Sequence, residues 1–241
     1  MNIAIIPARG GSKRIPRKNI KLFCGQPMIA WSIQAAIESE CFDRIVVSTD
    51  DKEIAEVART YGAETPFVRS PELSNDHVAT LPVIANAIEW IKASGGNVEN
   101  ACCIYATAPF VVAADLQNGL SLLKSSAADY AFTVTSFPFP IQRAVRITSE
   151  DRIQMFQPEH LNSRSQDLEE AWHDAGQFYW GKAKAWLTHK LVFSKDSIPI
   201  KLPRYRVQDI DTQEDWDRAA WMFQAWKNNK GKLDQNSGDV L

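Results

Sequence analysis

An α/β fold, with a mainly parallel sheet and helices on both faces, is predicted by three observations. Short apolar runs alternate with helical periodicities from Asn2 to Thr135. A chain of 241 residues with 45% hydrophobic content can bury one sizeable core and a small appendage rather than two independent domains. A basic, glycine-containing loop directly follows the first apolar run, at the carboxyl end of a strand, where open sheets of this kind bind ligands.

The first strand is expected at Asn2–Pro7. A helix opened by Pro27 places Met28, Ile29, Ile33, Ala36 and Ile37 on one face, and a second strand at Arg44–Ser48 completes a strand, helix, strand unit. A helix at 52–61, a strand at 65–68, a helix at 81–93 and an apolar strand at 101–105 continue the alternation, followed by a helix at 115–125 and a strand at 130–135. Regularity then fails. "SFPFPIQRAV" and "FQPEHLNSRSQDLEEAWH" mix prolines, aromatics and polar residues without a sustained period, so an inserted lobe is expected at about 136–174. The α/β pattern resumes at 177–180, and an amphipathic helix at 212–227 closes a single domain of residues 1–229. The segment 230–241, rich in small and polar residues, is expected to be a flexible tail.

A net charge of −2 makes the basic loop a local feature, which argues against nucleic-acid or membrane partners bound through bulk charge. Cys24, Cys41, Cys102 and Cys103 lack metal-ligand spacing, Arg9 and Gly10 interrupt the N-terminal apolar stretch too early for a signal peptide, and no apolar run approaches a membrane span. A cytoplasmic protein with reduced thiols is expected.

The loop itself, "PARGGSKRIPRKN", carries six cations when Lys21 is counted, two adjacent glycines and no acid. A glycine-rich turn lets backbone N–H groups converge on an anion, and nearby lysine or arginine adds charge-assisted hydrogen bonds. A merely solvated basic loop is the plainer alternative. The Walker A pattern is absent, as is the third glycine of a dinucleotide fingerprint, and six cations exceed what a pyrophosphate at a helix N-terminus needs. A triphosphate suits them better. Near the other end, "VQDIDTQEDWD" sets Asp209 and Asp211 two apart in an expected extended segment, so both carboxylates face one way, a geometry that suits Mg2+. Helix capping is the alternative: Thr212 with Asp215 makes a capping box, although Asp209 is not needed for it.

"IIPARGGSKRIPRKNI", "RIVVSTDDKEIAEVARTYGAE" and "VRSPELSND" resemble the successive blocks of the CMP-sialic acid synthetase family, and the similarity runs from Asn2 to about Trp226. That resemblance implies a Rossmann-like nucleotidyltransferase fold and transfer of CMP from CTP to the anomeric hydroxyl of a nine-carbon keto-acid sugar, with release of pyrophosphate. It further implies that Arg9, Gly10, Ser12, Lys13, Lys18, Asn19, Arg69 and Thr80 bind the nucleotide. Arg9, Lys18 and Asp211 would be catalytic, and the D-x-D pair Asp209 and Asp211 would hold Mg2+. Asn19 and Arg69 have simpler alternatives, as a turn cap and as cover for the sheet edge. His77, His160, His173 and His189 stand in no recognisable catalytic setting, so activation of the hydroxyl by the metal is expected. The blocks "YATAPF", "FPFPIQRA" and "QPEHLNSRSQDLEEAWHDAGQFYW" resemble the pseudaminic acid branch, with Tyr105 where sialic-acid relatives place a glutamine and Ala175 where they place an asparagine. Tyr105, Gln142, Arg143, Arg164, Ser165, Gln166, His173, Asp174 and Gln177 become candidates for sugar contacts. The lobe is expected to form a homodimer and to complete the neighbour's pocket. Cytidylyltransferases for N-acetylneuraminate, legionaminate or 3-deoxy-manno-octulosonate, and a non-catalytic binding protein on the same scaffold, remain the alternatives.

Overall fold

The structure is a computed structural model that describes residues 1–236, with side chains described through Asn229. Its first strand, β1 (Asn2–Pro7), shows why the sheet is covered on both faces. Ala4 and Ile6 face one core cluster and Ile3 and Ile5 the other, and all four are fully buried. Successive side chains of a strand point to opposite faces, so an apolar run without alternation demands cover on each side. The loop after β1 ends in a small hairpin of β2 (Leu22–Phe23) and β3 (Gln26–Pro27), and Pro27 opens α1 (Met28–Glu38). Next come β4 (Arg44–Ser48), α2 (Lys52–Thr60), α3 (Thr80–Ala93), β5 (Asn100–Ile104), α4 (Ala113–Ser125) and β6 (Tyr130–Ser136).

Segment 65–68 does not form the expected strand. Glu64 and Val68 make single bridges beside β4, and Pro66, lacking an N–H, breaks the ladder between them. After β6 the chain leaves the sheet, forms the hairpin of β7 (Val145–Ile147) and β8 (Ile153–Met155) among short 3-10 turns, and returns as β9 (Trp172–Lys182). The lobe is thus 137–171, its base closed by the Phe137 N–H donating to the Ala171 carbonyl at 3.0 Å, and residues 172–174, expected in the lobe, are in the sheet. A short helix α5 (Ala183–Leu187), an edge strand β10 (Ser197–Lys201) and a long helix α6 (Gln213–Asn236) follow.

The six-stranded sheet has the order β10, β6, β9, β5, β1, β4. Neighbours are parallel except β9, which runs antiparallel between β5 and β6. Helices α1, α2 and α4 cover one face through Ile29, Ile33, Ile54 and Leu116, and α3 and α5 cover the other through Ile84, Ile88 and Trp186. Helix α6 packs elsewhere. Its stripe of Trp216, Ala219, Phe223 and Trp226, at helical spacing, closes over Phe23, Phe110 and Ile15 of the basic loop. Burying each such ring stabilises the fold by about 1.5–3 kcal/mol, so the loop is anchored by Ile15 although its other side chains are charged. The helix continues nine residues beyond the expected end at Lys227, through the start of the segment expected as a tail; 237–241 lie outside the described residues. Among the described residues, no helix is long and apolar enough to cross a membrane.

Candidate functional site

A cleft of about 540 Å³ opens at the carboxyl ends of β1 and β5, where Pro7, Ala106 and Thr107 form its floor. It brings together most of the residues expected from sequence to bind nucleotide, with one sugar candidate and one of the acid pair: Arg9, Ser12, Lys13, Lys18, Asn19, Arg69, Thr80, Tyr105 and Asp211 all line it. Gly10 does not. Its N–H donates to Asp50 Oδ1 at 3.0 Å, and a Cβ on it would lie 2.7 Å from Asp51 Oδ2, so this position needs glycine for close approach to the N-terminus of α2. The Ser12 N–H and hydroxyl are likewise turned inward, to the Gly10 carbonyl at 3.0 Å and the Ile15 carbonyl at 2.6 Å. The amides of Gly10 and Ser12 therefore shape the loop rather than form the expected cradle, and an anion would be met chiefly by side chains.

Two of the six cations also point away from the cleft. Arg17 adopts a left-handed backbone, φ 56°, and its guanidinium bonds Asp51 and Glu53, each at 2.5 Å. That contact, the largest cause, holds the Asp51 carboxyl down to about 2. Asp51 also caps α2 by accepting from the Ile54 N–H at 3.0 Å. Lys21 lies over the Trp216 ring at 4.7 Å. Arg9, Lys13, Arg14 and Lys18 are the four that face the cleft.

Those four are met by two acids. Arg9 and Lys13 both bond Asp76, whose carboxyl is pulled down to about 2, first by Lys13 and then by Arg9. Asp76 was not among the residues expected from sequence; its place in "SND" gives no signal of a contact 67 residues back. Its oxygens stand where phosphate oxygens would be met by the same two cations. Arg14 lies 2.9 Å from Asp211, and Lys18 donates to the Ile210 carbonyl at 2.5 Å and reaches Asp211 at 3.3 Å.

Deeper in the cleft, Asn19 is buried and its amide donates to the Arg9 carbonyl at 3.0 Å. Arg69 is 4% exposed. Its Nε donates to Ser74 Oγ at 3.1 Å, but its Nη2 makes no hydrogen bond and approaches Asp50 only to 3.7 Å. Burial pushes the Arg69 pKa down, as expected of a cation removed from water with its charge incompletely matched. An unsatisfied guanidinium donor beside a cleft is suited to a ligand acceptor.

The acid pair and the helix cap coexist. Asp215 Oδ2 accepts from the Thr212 N–H and hydroxyl, both at 2.8 Å, and the Asp215 N–H donates back to Thr212 Oγ1 at 3.2 Å. That leaves Asp209 and Asp211 free of the cap except for the Asp211 N–H, which donates to Asp215 at 3.2 Å. Asp209 reaches solvent yet sits in packed surroundings, and its carboxyl is pushed up by burial and then by the charge of Asp211. Asp211 lines the cleft and Asp209 does not, but the two like charges are close enough for Asp211 to raise the Asp209 pKa, and hard-oxygen donors of this kind suit a divalent cation that takes its other ligands from substrate and water. Among the described residues no cluster of three or more acids, histidines and cysteines could hold a metal unaided.

The candidates for sugar contacts are dispersed. Tyr105 lines the cleft, and its hydroxyl is 3.4 Å from Thr80 Oγ1. Asp174 lies behind it, with Oδ2 accepting from the Tyr179 hydroxyl and Oδ1 from the Gly176 N–H at 2.8 Å. Gln177 is buried, its amide donating to the Arg206 carbonyl at 2.5 Å while its Oε1 has no partner. Ala175 belongs to the core rather than to the cleft wall. His173 packs against Phe137. Gln142, Arg143, Arg164, Ser165 and Gln166 are all on the lobe; Arg143 and Ser165 line a second hollow with Phe137, Phe139 and Ile141, and Arg164 pairs with Asp167 at 2.7 Å. None of these five lines the main cleft.

Residues 3–234 match the sequence model of a family described as Cytidylyltransferase. Pseudaminic acid cytidylyltransferases of two Campylobacter jejuni subsp. jejuni strains, serotype O:23/36 (strain 81-176) and serotype O:2 (strain ATCC 700819 / NCTC 11168), are 46% and 45% identical over 222 residues. Each alignment covers 92% of this chain and 96% of the relative. A solved structure of CMP:2-keto-3-deoxy-manno-octonic acid synthetase complexed with CTP shares the fold, with a TM-score of 0.67 at 15% identity over 93% of this chain and 98% of that one.

Proposed function

The chain belongs to the cytidylyltransferase family, and from that premise we propose that it transfers CMP from CTP to the anomeric hydroxyl of a nonulosonic acid, pseudaminic acid by preference, giving the CMP-sugar and pyrophosphate. The observation that carries this reading is the convergence of Arg9, Lys13, Arg14 and Lys18 with Asp211 and the unsatisfied Arg69 donor in one cleft at the carboxyl ends of the sheet.

In this scheme Arg9 and Lys13 exchange Asp76 for phosphate oxygens, and Asn19 and Arg69 hold the cytosine end of the nucleotide. The sugar oxygen attacks the α-phosphorus in line. One oxygen–phosphorus bond forms, the bond to pyrophosphate breaks, and the hydroxyl proton passes to solvent; no histidine lines the cleft among the described residues. Lys18 and Arg14 face the charge that moves towards the leaving group, and preorganised cations aimed at developing charge stabilise the transition state more than the ground state. Asp209 and Asp211 are the residues that would hold Mg2+, which supplies further positive charge against the phosphate oxygens. The exposed lobe supports a homodimer in which one subunit's lobe completes the sugar pocket of the other.

Pyrophosphate release from CTP against a panel of nonulosonic and octulosonic acids tests the proposal. The expected result is turnover with pseudaminic acid favoured over N-acetylneuraminic acid by more than about a hundredfold in kcat/KM, because unpaired buried polar groups cost about 1–3 kcal/mol each. Comparable rates with both acids would overturn the substrate preference. CTP binding with no turnover on any acid would leave a nucleotide-binding protein instead.

A further inference from the structure

We propose that Asp76 serves as an internal counter-ion in the polyphosphate subsite: its carboxylate holds Arg9 and Lys13 while the cleft is free, gives them up to the phosphate oxygens of CTP and returns to expel pyrophosphate. The inference rests on the function proposed above for the identity of the ligand, and adds to it a residue that sets how tightly the polyphosphate is held.

Both Asp76 oxygens are taken, Oδ1 by the Arg9 guanidinium and Oδ2 by the Lys13 ammonium at 2.5 Å. Among the described residues, neither cation pairs with another acid. One carboxylate against two cations leaves positive charge in excess, which a polyphosphate with several anionic oxygens matches better. The exchange runs by competition and not by protonation, because the Asp76 carboxyl, held down to about 2 by Lys13 and then by Arg9, stays ionised at any working pH. The backbone permits it. Asp76 stands in the segment between Arg69 and α3 that forms one wall of the cleft, and the turn that presents it is held locally. The Asn75 amide donates to the Glu72 carbonyl and Asn75 Oδ1 accepts from the His77 N–H, both at 2.9 Å. Among the described residues, 75–78 make no backbone hydrogen bond to the sheet, so the carboxylate can be withdrawn without opening a ladder. Upstream the segment is pinned: Ser74 Oγ accepts from Nε of the buried Arg69 at 3.1 Å and donates to the Ser70 carbonyl at 2.8 Å. The movement is thereby confined to the few residues around Asp76. A site occupied by its own side chain binds more weakly in proportion to the fraction of molecules that stand open; with Asp76 seated in about nine of ten, the apparent Kd rises about tenfold. That weakening falls on substrate and product alike, and it prevents pyrophosphate from keeping the cations that met it as the leaving group.

The test titrates inorganic pyrophosphate, CMP and CTP by calorimetry into the wild type, Asp76→Asn, Lys13→Ala and the double variant, with Tm as the check on folding. We expect Asp76→Asn to bind pyrophosphate and CTP about three- to tenfold tighter, while CMP, which lacks the outer phosphates, changes less than about twofold. Pyrophosphate should inhibit turnover by Asp76→Asn at correspondingly lower concentration. In the Lys13→Ala background the gain should be smaller, because one of the two cations that Asp76 occupies is gone. Unchanged pyrophosphate affinity in Asp76→Asn would reduce the contact to an idle surface pair, and weaker binding would make Asp76 a prop for the two cations. A gain of the same size for CMP, or one undiminished without Lys13, would make it an effect of overall charge. Each of these would overturn the inference while the function stands. Tighter pyrophosphate binding in Asp76→Asn, with no turnover by the wild type on any acid, would overturn the function and leave the exchange in place.

Discussion

The nucleotide end of the cleft and the lobe are built on opposite physical terms. At the nucleotide end nearly every functional side chain is tied to the scaffold: Ile15 is sealed under α6, Gly10 is fitted against Asp51, Asn19 holds the Arg9 carbonyl, and Arg69 is buried. In the lobe the large apolar side chains face outward, Phe139 at 79% exposed and Ile153 at 76%, and the polar ones pair locally, Arg164 with Asp167 and Arg146 with Gln154. One region buries its apolar side chains within the chain and the other leaves them exposed. Exposed large apolar side chains on a small lobe are unfavourable unless something covers them. On the function proposed, the difference would place preorganised charge at the nucleotide and leave sugar recognition partly dependent on assembly.

That contrast can be broken or sharpened by substitution. Asp211→Ala should have the largest effect, lowering kcat about a thousandfold by removing a carboxylate that would hold positive charge at the reacting phosphate, while Tm, read by thermal unfolding, stays nearly unchanged because little apolar area is lost. Wild-type turnover would reduce Asp211 to a residue that precedes a helix. Lys18→Ala should come next, with single-turnover rates down about a hundredfold and CTP affinity by calorimetry weakened less than about tenfold. The reverse pattern would make Lys18 a binding residue only. In the lobe, Phe139→Asp combined with Ile153→Asp should yield monomers in sedimentation velocity, raising the sugar KM about tenfold with unaltered CTP affinity; weaker CTP binding would show that the two regions are not separable. The smallest effect should come from Asp51→Asn. Asparagine still caps α2, so the change isolates the partly exposed contact with Arg17, for a loss of about 1 kcal/mol or less at neutral pH, a Tm drop of about 2–4 °C at most. The Asp51 pKa is depressed to about 2, so its stabilisation is complete above the ordinary carboxylate range and is lost as pH falls through about 2. The Tm gap between variant and wild type should close over that interval.

What could be read from the sequence follows the range of the interactions that fix each feature. Strands β1 and β4 and helices α1 and α3 announce themselves locally, through apolar runs, helical spacing and Pro27. Strand β10 is not legible in the sequence because Pro199 sits in its middle, which an edge strand tolerates. Pro66 had the opposite consequence, breaking a segment whose apolar residues suggested a strand. The cations of the basic loop were visible as charge, but the direction each one takes was not: Arg17 turns to Asp51 through a left-handed backbone that composition does not encode. The role of Asp76 depends on a contact between distant segments and the placement of Asp174 on a bulge in β9, and a single sequence carries no mark of either.

The Lys18 contact with Asp211 joins residues 193 positions apart, which imposes an order in time. A ribosome adding about 5–20 residues per second completes the basic loop roughly 10–40 s before the acid that meets it has been made. Through that interval the nascent chain holds the loop without Asp209, Asp211 or the helix that seals Ile15. A chain interrupted before residue 209 would have its cations in place as sequence but not as a seated loop, and would be inert towards CTP chemistry. On the function proposed, competence would be conferred late, when the segment that brings the acids also folds down the cover over the loop.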